Sequence, residues 1–289
     1  MKKLSVLKDY FGFTSFRVGQ EELVDNILSG RDTLGIMPTG AGKSLCFQLP
    51  ALMFDGITLV VSPLISLMKD QVGSLTQAGI SAAYINSSLN HSQYIKALQN
   101  AKDDKYKIIY VAPERLTTEE FVDFAQNAKI SLVTIDEAHC VSQWGQDFRP
   151  SYLIIPQFID RLADRPVLAA FTATATPQVR EDVIDKLNLK EPYVLTTGFD
   201  RENLFFSVQK PKNKFVALKE YIERNKIKSG IVYCSTRKTV DEVCRNLIKS
   251  GFAAVPYHAG LSEKDRRENQ DSFIYDKSNI MVATNAFGM

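Results

Sequence analysis

The sequence predicts an α/β protein: a parallel sheet with helices on both faces, followed by an incomplete second unit of the same kind. Three observations carry this. From residue 31 onward, short runs rich in Val, Ile and Leu alternate with longer stretches of helical period. A glycine-rich loop lies between the first apolar run and the helical stretch after it. The alternation lapses near Phe205 and resumes at Gly230, dividing the 289 residues into candidate domains 1–206 and 207–289, in keeping with about 100 to 200 residues per domain.

Taken in order, Gln20 to Ser29 places Leu23, Val24, Ile27 and Leu28 on one helical face, and Gly30 stops the helix. Strands are predicted at Thr33 to Met37, Leu59 to Ser62, Ile108 to Ala112, Leu132 to Ile135 and Val167 to Phe171, with helices in the intervals. A sixth strand, Tyr193 to Thr197, closes the layer. Between Phe205 and Lys228 the cations Lys210, Lys212, Lys214, Lys219, Arg224, Lys226 and Lys228 face only Glu220 and Glu223. That local excess reads as a linker or domain entrance, suited equally to solvent and to a polyanion. Beyond it come Gly230 to Cys234, a helix from Arg237 to Lys249, Ala253 to Tyr257, a helix from Ser262 to Ile274, and Asn279 to Ala283. The last of these strands has no helix after it to cover it, so the second domain is expected to be incomplete in this chain.

Composition excludes several classes. Hydrophobic residues at 45% and charged residues at 24% rule out collagen-like and disordered chains. The 35 Lys and Arg balance 33 Asp and Glu to a net charge of +2, so any electrostatic footprint must be local. No apolar run approaches the roughly 18 residues of a membrane span. Lys8 and Asp9 interrupt the only apolar stretch near the start before it reaches signal-peptide length. A cytoplasmic protein without membrane partners is expected. Cys46, Cys140, Cys234 and Cys244 are widely spaced without a C-x-x-C pair, which predicts reduced, mostly buried thiols.

Met37-Pro38-Thr39-Gly40-Ala41-Gly42-Lys43-Ser44 follows the first strand and opens a helix. Gly40 and Gly42 let the loop curl so that backbone N–H groups point at phosphate oxygens, and the helix N-terminus favours negative charge. Lys43 can then reach the β and γ phosphates and Ser44 can ligate magnesium, which makes ATP with magnesium the expected ligand. Met37 stands where the strict phosphate-loop pattern has its first glycine, but the T-G-x-G-K-S core is intact. Residues 39–45, from Thr39 through Leu45, form the candidate phosphate contact. A second element, Ser131 to Ile135 running into Asp136-Glu137-Ala138-His139, sets acids at a strand end. Asp136 can hold magnesium through water, and Glu137 can orient or deprotonate the attacking water. His139, beside these acids, is a candidate coupling residue.

With both sites in place, the chain resembles the RecQ family of superfamily 2 DNA helicases from about Phe11 to its last residue. The resemblance implies RecA-like P-loop sheets for both domains, ATP hydrolysis, 3′ to 5′ movement on single-stranded DNA, and unwinding of duplex DNA in repair and recombination. Phe11-Gly12-Phe13 with Phe16-Arg17-Val18-Gly19-Gln20 resembles an adenine-recognition motif, implying that Phe13 stacks on the base while Arg17 and Gln20 hydrogen-bond to it. Ser62 to Gln71 and Ala112-Pro113-Glu114-Arg115 are similar to DNA-backbone motifs, which makes Ser62, Lys69 and Arg115 candidate phosphate contacts. Phe171 to Thr176 resembles the motif that couples the two sites through Thr172 and Thr174. Cys140 to Pro150 resembles the aromatic-rich loop of RecQ helicases and contains the only Trp. Trp144 there suits stacking on an unpaired base, with Phe148 and Arg149 beside it.

In the second domain, Ile231 to Arg237, Tyr257 to Leu261 and Ala283 to Met289 resemble further motifs of the family. The Q-x-x-G-R-x-G-R element that supplies the family's arginine finger does not occur in the sequence. The 289-residue chain is therefore expected to be a truncated core, deficient in turnover. A DEAD-box RNA helicase would have Asp at position 139 and no aromatic-rich loop. A nucleotide-dependent DNA-binding module is the alternative from outside the enzymes, and a small-molecule kinase leaves the DNA-like motifs unexplained.

Overall fold

The computed structural model describes residues 3–198, 204–225 and 228–284, which divide into two compact units, 1–201 and 202–289. The predicted motif from Ala283 to Met289 lies largely outside the described residues, as does Lys226.

Unit 1 alternates helices and strands. α1 (Lys3–Phe11) and α2 (Gln20–Leu28) precede β1 (Thr33–Ile36). Then follow α3 (Lys43–Met53), β2 (Ile57–Val61), α4 (Ile65–Gln77), β3 (Ala82–Ile85), α5 (His91–Lys102) and β4 (Ile108–Val111). α6 (Glu119–Asn127), β5 (Ile130–Ile135), α7 (Ile155–Ile159), β6 (Val167–Thr172), α8 (Pro177–Lys186) and β7 (Tyr193–Thr196) complete it. The seven strands pair in the order β3-β4-β2-β5-β6-β1-β7, all in parallel. Both faces are covered. One core gathers Leu34, Leu59, Ile109, Val133 and Phe121, and the other gathers Met37, Phe47, Val60, Tyr110 and Phe171. Double coverage explains why β1, β2 and β4 are buried at every residue and read as continuous apolar runs.

The α2 face carrying Leu23, Val24 and Ile27 is buried as the spacing predicts, and Gly30 leaves the helix at φ +83°. α1 and β3 were not predicted. β3 is an edge strand with alternate residues half-buried, and Ala82-Ala83 gives it no branched apolar run to stand out in sequence. β2 begins at Ile57, two residues before the predicted start. Cys46, Cys140 and Cys244 are buried and Cys234 is half-buried, all four unpaired.

The strand order positions the site. Parallel strands all end on one edge, and the ladder runs one residue beyond several of them: Met37 N–H donates to Thr172 O at 3.0 Å, Asp136 N–H to Val61 O at 2.9 Å, and Ser62 N–H to Val111 O at 3.2 Å. The segments after β4, β2, β5, β6 and β1 thus lie side by side.

Unit 2 contains α9 (Lys214–Arg224), β8 (Gly230–Tyr233), α10 (Arg237–Lys249), β9 (Ala254–Tyr257), α11 (Glu263–Ile274) and β10 (Ile280–Ala283). Its three strands are parallel in the order β8-β10-β9. Val240, Cys244, Leu247, Ile280 and Val282 form its core.

At the opposite end of unit 1, the buried Asp32 carboxylate accepts from Arg165 Nη2 at 2.6 Å, Arg165 Nη1 at 3.2 Å, Leu168 N at 2.9 Å and Lys190 N at 2.8 Å. One carboxylate therefore ties the start of β1 to the segments entering β6 and β7. Asp32→Ala strands the guanidinium and two N–H groups, and we expect it to cost about 3 to 5 kcal/mol. Urea unfolding followed by circular dichroism measures this, and a loss under about 1 kcal/mol would show that water replaces the carboxylate.

Candidate active site

The loop between β1 and α3 turns through Gly40 at φ +84° and Gly42 at φ +85°, a left-handed backbone that side chains disfavour. Gly42 stands at the N-terminus of α3 with no side chain capping that end, so the first-turn N–H groups are available to an anion. A Cβ on Gly42 would also collide with the Gln20 amide. Lys43 folds back over the loop, its Nζ donating to Met37 O at 3.1 Å. Ser44 is half-buried on the first turn, and Thr39 is exposed on the loop. The Leu45 side chain is core, packed with Val6, Leu7, Val24 and Leu49, which anchors that turn.

Arg17 and Gln20 brace this loop from outside. Arg17 Nη1 donates to Gly40 O at 2.7 Å, and Gln20 Nε2 donates to Ala41 O at 3.1 Å and Gly42 O at 3.2 Å. Gln20 Oε1 accepts from Arg17 N at 2.8 Å, and the residue is 2% exposed. Sequence reasoning assigned this pair to a base and missed its hold on the loop. Phe13, by contrast, is half exposed.

Asp136 follows β5 across from the loop. It keeps an exposed edge, yet burial, reinforced by the neighbouring Glu137, pushes its carboxyl pKa up to about 6 against the opposing influence of Glu137 N–H, Lys43 and Ser62. The buried Ser62 hydroxyl approaches Asp136 closely enough to favour its charged form, although it makes no full hydrogen bond. Glu137 has φ +48°, a strained conformation for a residue with a side chain. The turn brings Glu137 N–H to Asp136 Oδ1 at 3.0 Å and Glu137 Oε2 to His139 Nδ1 at 3.3 Å.

His139 Nδ1 also lies 2.9 Å from Thr172 Oγ1, whose hydroxyl donates to Thr174 O at 3.1 Å. Because that hydroxyl's proton is already committed and the other neighbour is a carboxylate, Nδ1 carries the imidazole proton. Glu137, His139, Thr172 and Thr174 are thus joined in one chain of polar contacts.

The loop after His139 projects Trp144, which is 68% exposed and so is not a core residue. Ser142 holds it: its hydroxyl accepts from Trp144 N at 3.1 Å and donates to Asp182 Oδ2 at 2.6 Å. A Cβ on Gly145 would overlap the His139 carbonyl, so the tight return of the loop requires glycine. Arg149 is fixed by Asp147, at 2.8 Å from Nη2, and reaches Pro63 O at 3.2 Å, while Phe148 is half-buried. His139, Trp144, Gln146, Thr174 and Val179 line a groove of about 220 Å³.

Lys69 is exposed on α4. Arg115 turns inward, its guanidinium 4.9 Å over the Tyr94 ring and donating to Asn86 O at 3.3 Å. No group of three or more His, Cys, Asp or Glu able to hold a metal occurs among the described residues. A divalent ion here would have to rest on Ser44, Asp136, water and ligand phosphates. Such a sparse oxygen set suits magnesium, and the raised pKa of Asp136 marks a carboxylate that a cation would relieve. No helix of the described residues is long and apolar enough to cross a membrane.

Comparison with known proteins agrees with this geometry. Residues 17–183 match the DEAD/DEAH box helicase family and residues 213–289 the helicase conserved C-terminal domain. The ATP-dependent DNA helicase RecQ of Bacillus subtilis is 49% identical over 286 residues, covering 99% of this chain and 48% of the relative. Its namesake in Pasteurella multocida is 44% identical, covering 99% and 45%. The chain therefore spans a little under half the length of these curated relatives. Among solved structures, Mycobacterium smegmatis helicase Lhr bound to ssDNA and AMP-PNP aligns with a TM-score of 0.73 at 20% identity, covering 97% of this chain and 41% of that one. Saccharomyces cerevisiae Dbp5, in a complex with Gle1 and IP6, aligns at 0.75 and 19%, covering 100% and 74%. These two alignments share the RecA-like fold. With the phosphate loop, the strand-end acids and the aromatic loop on one edge of that fold, the chain belongs to the DEAD/DEAH box helicase family.

Proposed function

We propose that this chain is the ATP- and DNA-handling part of a RecQ-type helicase that hydrolyses ATP to move 3′ to 5′ along single-stranded DNA and separate duplex DNA during repair and recombination, in the cytoplasm. The observation that carries the reading is the unbroken path Glu137–His139–Thr172–Thr174, which begins beside Asp136 and ends in the Trp144 groove.

Residues 39–45 cradle the phosphates, and Lys43 neutralises charge that grows on the β and γ oxygens. Ser44 and Asp136 hold magnesium, which when bound screens the triphosphate and lowers the barrier to its attack. Glu137 orients the attacking water and takes its proton. Phe13 stacks on adenine beside Arg17 and Gln20. Because those two also grip Gly40, Ala41 and Gly42, base binding and loop shape are linked. Trp144 stacks on a base, Lys69 and Arg149 serve the DNA backbone while the buried Ser62 and the inward-turned Arg115 shape the segments beside it, and His139 with Thr172 and Thr174 relays between the two sites.

In a longer chain that carries a Q-x-x-G-R element, Lys43→Ala and Glu137→Gln are each expected to lower DNA-stimulated hydrolysis by about a hundredfold or more. Only Lys43→Ala should also weaken binding of a fluorescent ATP analogue, and near-normal turnover by Glu137→Gln would remove that residue from the reaction. Trp144→Ala is expected to cost about 1 to 3 kcal/mol of single-stranded DNA affinity while leaving the melting temperature in place, since the ring is exposed. Equal loss of DNA and RNA binding would argue for a generic helicase surface instead.

Because no Q-x-x-G-R element occurs in the sequence, the 289-residue chain is expected to bind magnesium-ATP with little steady-state turnover. An arginine finger is worth about a thousandfold to a hundred-thousandfold. Robust DNA-stimulated hydrolysis by this chain would show that Arg237, Arg266 or Arg267 reaches the γ-phosphate.

A further inference from the structure

Past the phosphate loop, three polar side chains meet against an apolar core, Gln48 and Tyr110 buried and Gln71 half-buried. Gln48 Nε2 donates to Gln71 Oε1 at 2.9 Å and to Tyr110 Oη at 2.9 Å, and Tyr110 Oη donates to Gln71 Oε1 at 3.4 Å. Gln48 is 7% exposed and Tyr110 2%, with Phe47, Met68, Val72 and Leu75 around them. Every N–H of the Gln48 amide and the one O–H of Tyr110 is used. A closed, satisfied triangle of this kind is directional where an apolar contact is not, so it restricts how three elements can sit relative to one another.

The elements it joins are telling. Gln48 lies on α3 one helical turn past Ser44, on the same face. Gln71 lies on α4, two residues beyond Lys69, so Lys69 points outward while Gln71 points in. Tyr110 lies on β4, two residues before the segment that leads to Arg115. The same segments are tied to one another: Asn86 Nδ2 meets Met68 Sδ of α4 at 3.4 Å, and Arg115 donates to Asn86 O. A shift of α3 would therefore be passed through this triangle to the helix and strand that lead to Lys69 and Arg115.

We propose that Gln48, Gln71 and Tyr110 are positioning residues that couple the nucleotide site to the DNA-backbone segments: nucleotide binding re-aims the Gln48 amide, and α4 and the end of β4 follow. This runs on a path separate from the His139–Thr172 relay, and it rests on the nucleotide- and DNA-binding reading above. Coupling between two sites is reciprocal, so a nucleotide that changes DNA affinity by some factor has its own affinity changed by DNA by the same factor.

The test measures that factor in the full 289-residue chain, titrating a fluorescent single-stranded DNA with and without magnesium-AMP-PNP, for wild type, Tyr110→Phe, Gln71→Leu and Gln71→Glu. Glu at 71 keeps an oxygen for both donors, so it serves as the conservative rescue. The wild type is expected to couple by about fivefold or more. Tyr110→Phe and Gln71→Leu should bring the factor to within about twofold of unity, Tyr110→Phe with its nucleotide-free DNA affinity unchanged, and Gln71→Glu should retain it, because its added charge weakens DNA binding in both states alike. Retained coupling in Tyr110→Phe and Gln71→Leu, or equal loss in Gln71→Glu and Gln71→Leu, overturns the proposal. A wild type that binds both ligands without coupling also overturns it and leaves the proposed function standing. A wild type that binds neither ligand removes both.

Discussion

The parallel pairing of β5 with β6 and of β6 with β1 is the constraint on which the rest of unit 1 depends. Each of these strands ends in a segment whose first N–H or last carbonyl still belongs to the ladder, as in the bond from Met37 N–H to Thr172 O. The segments therefore cannot drift apart without breaking sheet hydrogen bonds in a doubly covered core. A phosphate loop, a pair of acids and a threonine turn from distant parts of the chain become neighbours because their strands do. The local chemistry then adds only short-range adjustments, such as the left-handed turns at Gly40, Gly42 and Glu137.

Those adjustments have an electrostatic sense. Two carboxylates side by side, one of them desolvated, are costly when both are charged, and the raised pKa of Asp136 registers that cost. The folded state tolerates it because Lys43, the Glu137 N–H and the Ser62 hydroxyl oppose it. Sign matters here: a carboxyl whose folded pKa lies above its unfolded value leaves the fold unpenalised at low pH. The penalty grows as pH rises from the unfolded value of 3.8 and is fully present above about 6. At neutral pH the site therefore holds unfavourable energy that a cation bound there would release. The strain at Glu137 belongs to the same economy, since the turn that costs energy also delivers the carboxylate to His139.

Much of this was readable in the residues, for reasons that differ from element to element. Strands such as Ile108–Val111 announce themselves because burial on both faces demands unbroken apolar runs, and the phosphate loop does so because its glycines and lysine meet a narrow geometric need. β3 escaped because an edge strand needs less apolar surface, and Ala82-Ala83-Tyr84 fits a helix as well as a strand. The hold of Arg17 and Gln20 on Gly40, Ala41 and Gly42 escaped for another reason. A glutamine at the start of a helix looks like a cap until the fold shows it buried against a loop twenty residues away in sequence. The Gln48–Gln71–Tyr110 triangle has no local signature, because its meaning lies in three elements converging. Trp144 shows the reverse: the glycine and proline around it already denied it a regular place in the core, and it is exposed.

The two units also hold their motifs by different means. In unit 1 the strand-end segments are backed by cores on both faces, whereas in unit 2 neither α9 nor α11 has a fully buried residue, and Ile231 of β8 is 43% exposed. Polar contacts order the turn after β9. His258 supplies them: its Nδ1 accepts from Gly260 N–H at 3.1 Å, which leaves Nε2 as the protonated nitrogen, and Nε2 lies 3.0 Å from Asp241 Oδ1 on α10. The ring is 5% exposed, so one histidine with both nitrogens paired pins the turn after β9 to the helix beside it. A turn held by two hydrogen bonds to one buried ring is fixed in shape by directional contacts, which apolar packing alone does not supply.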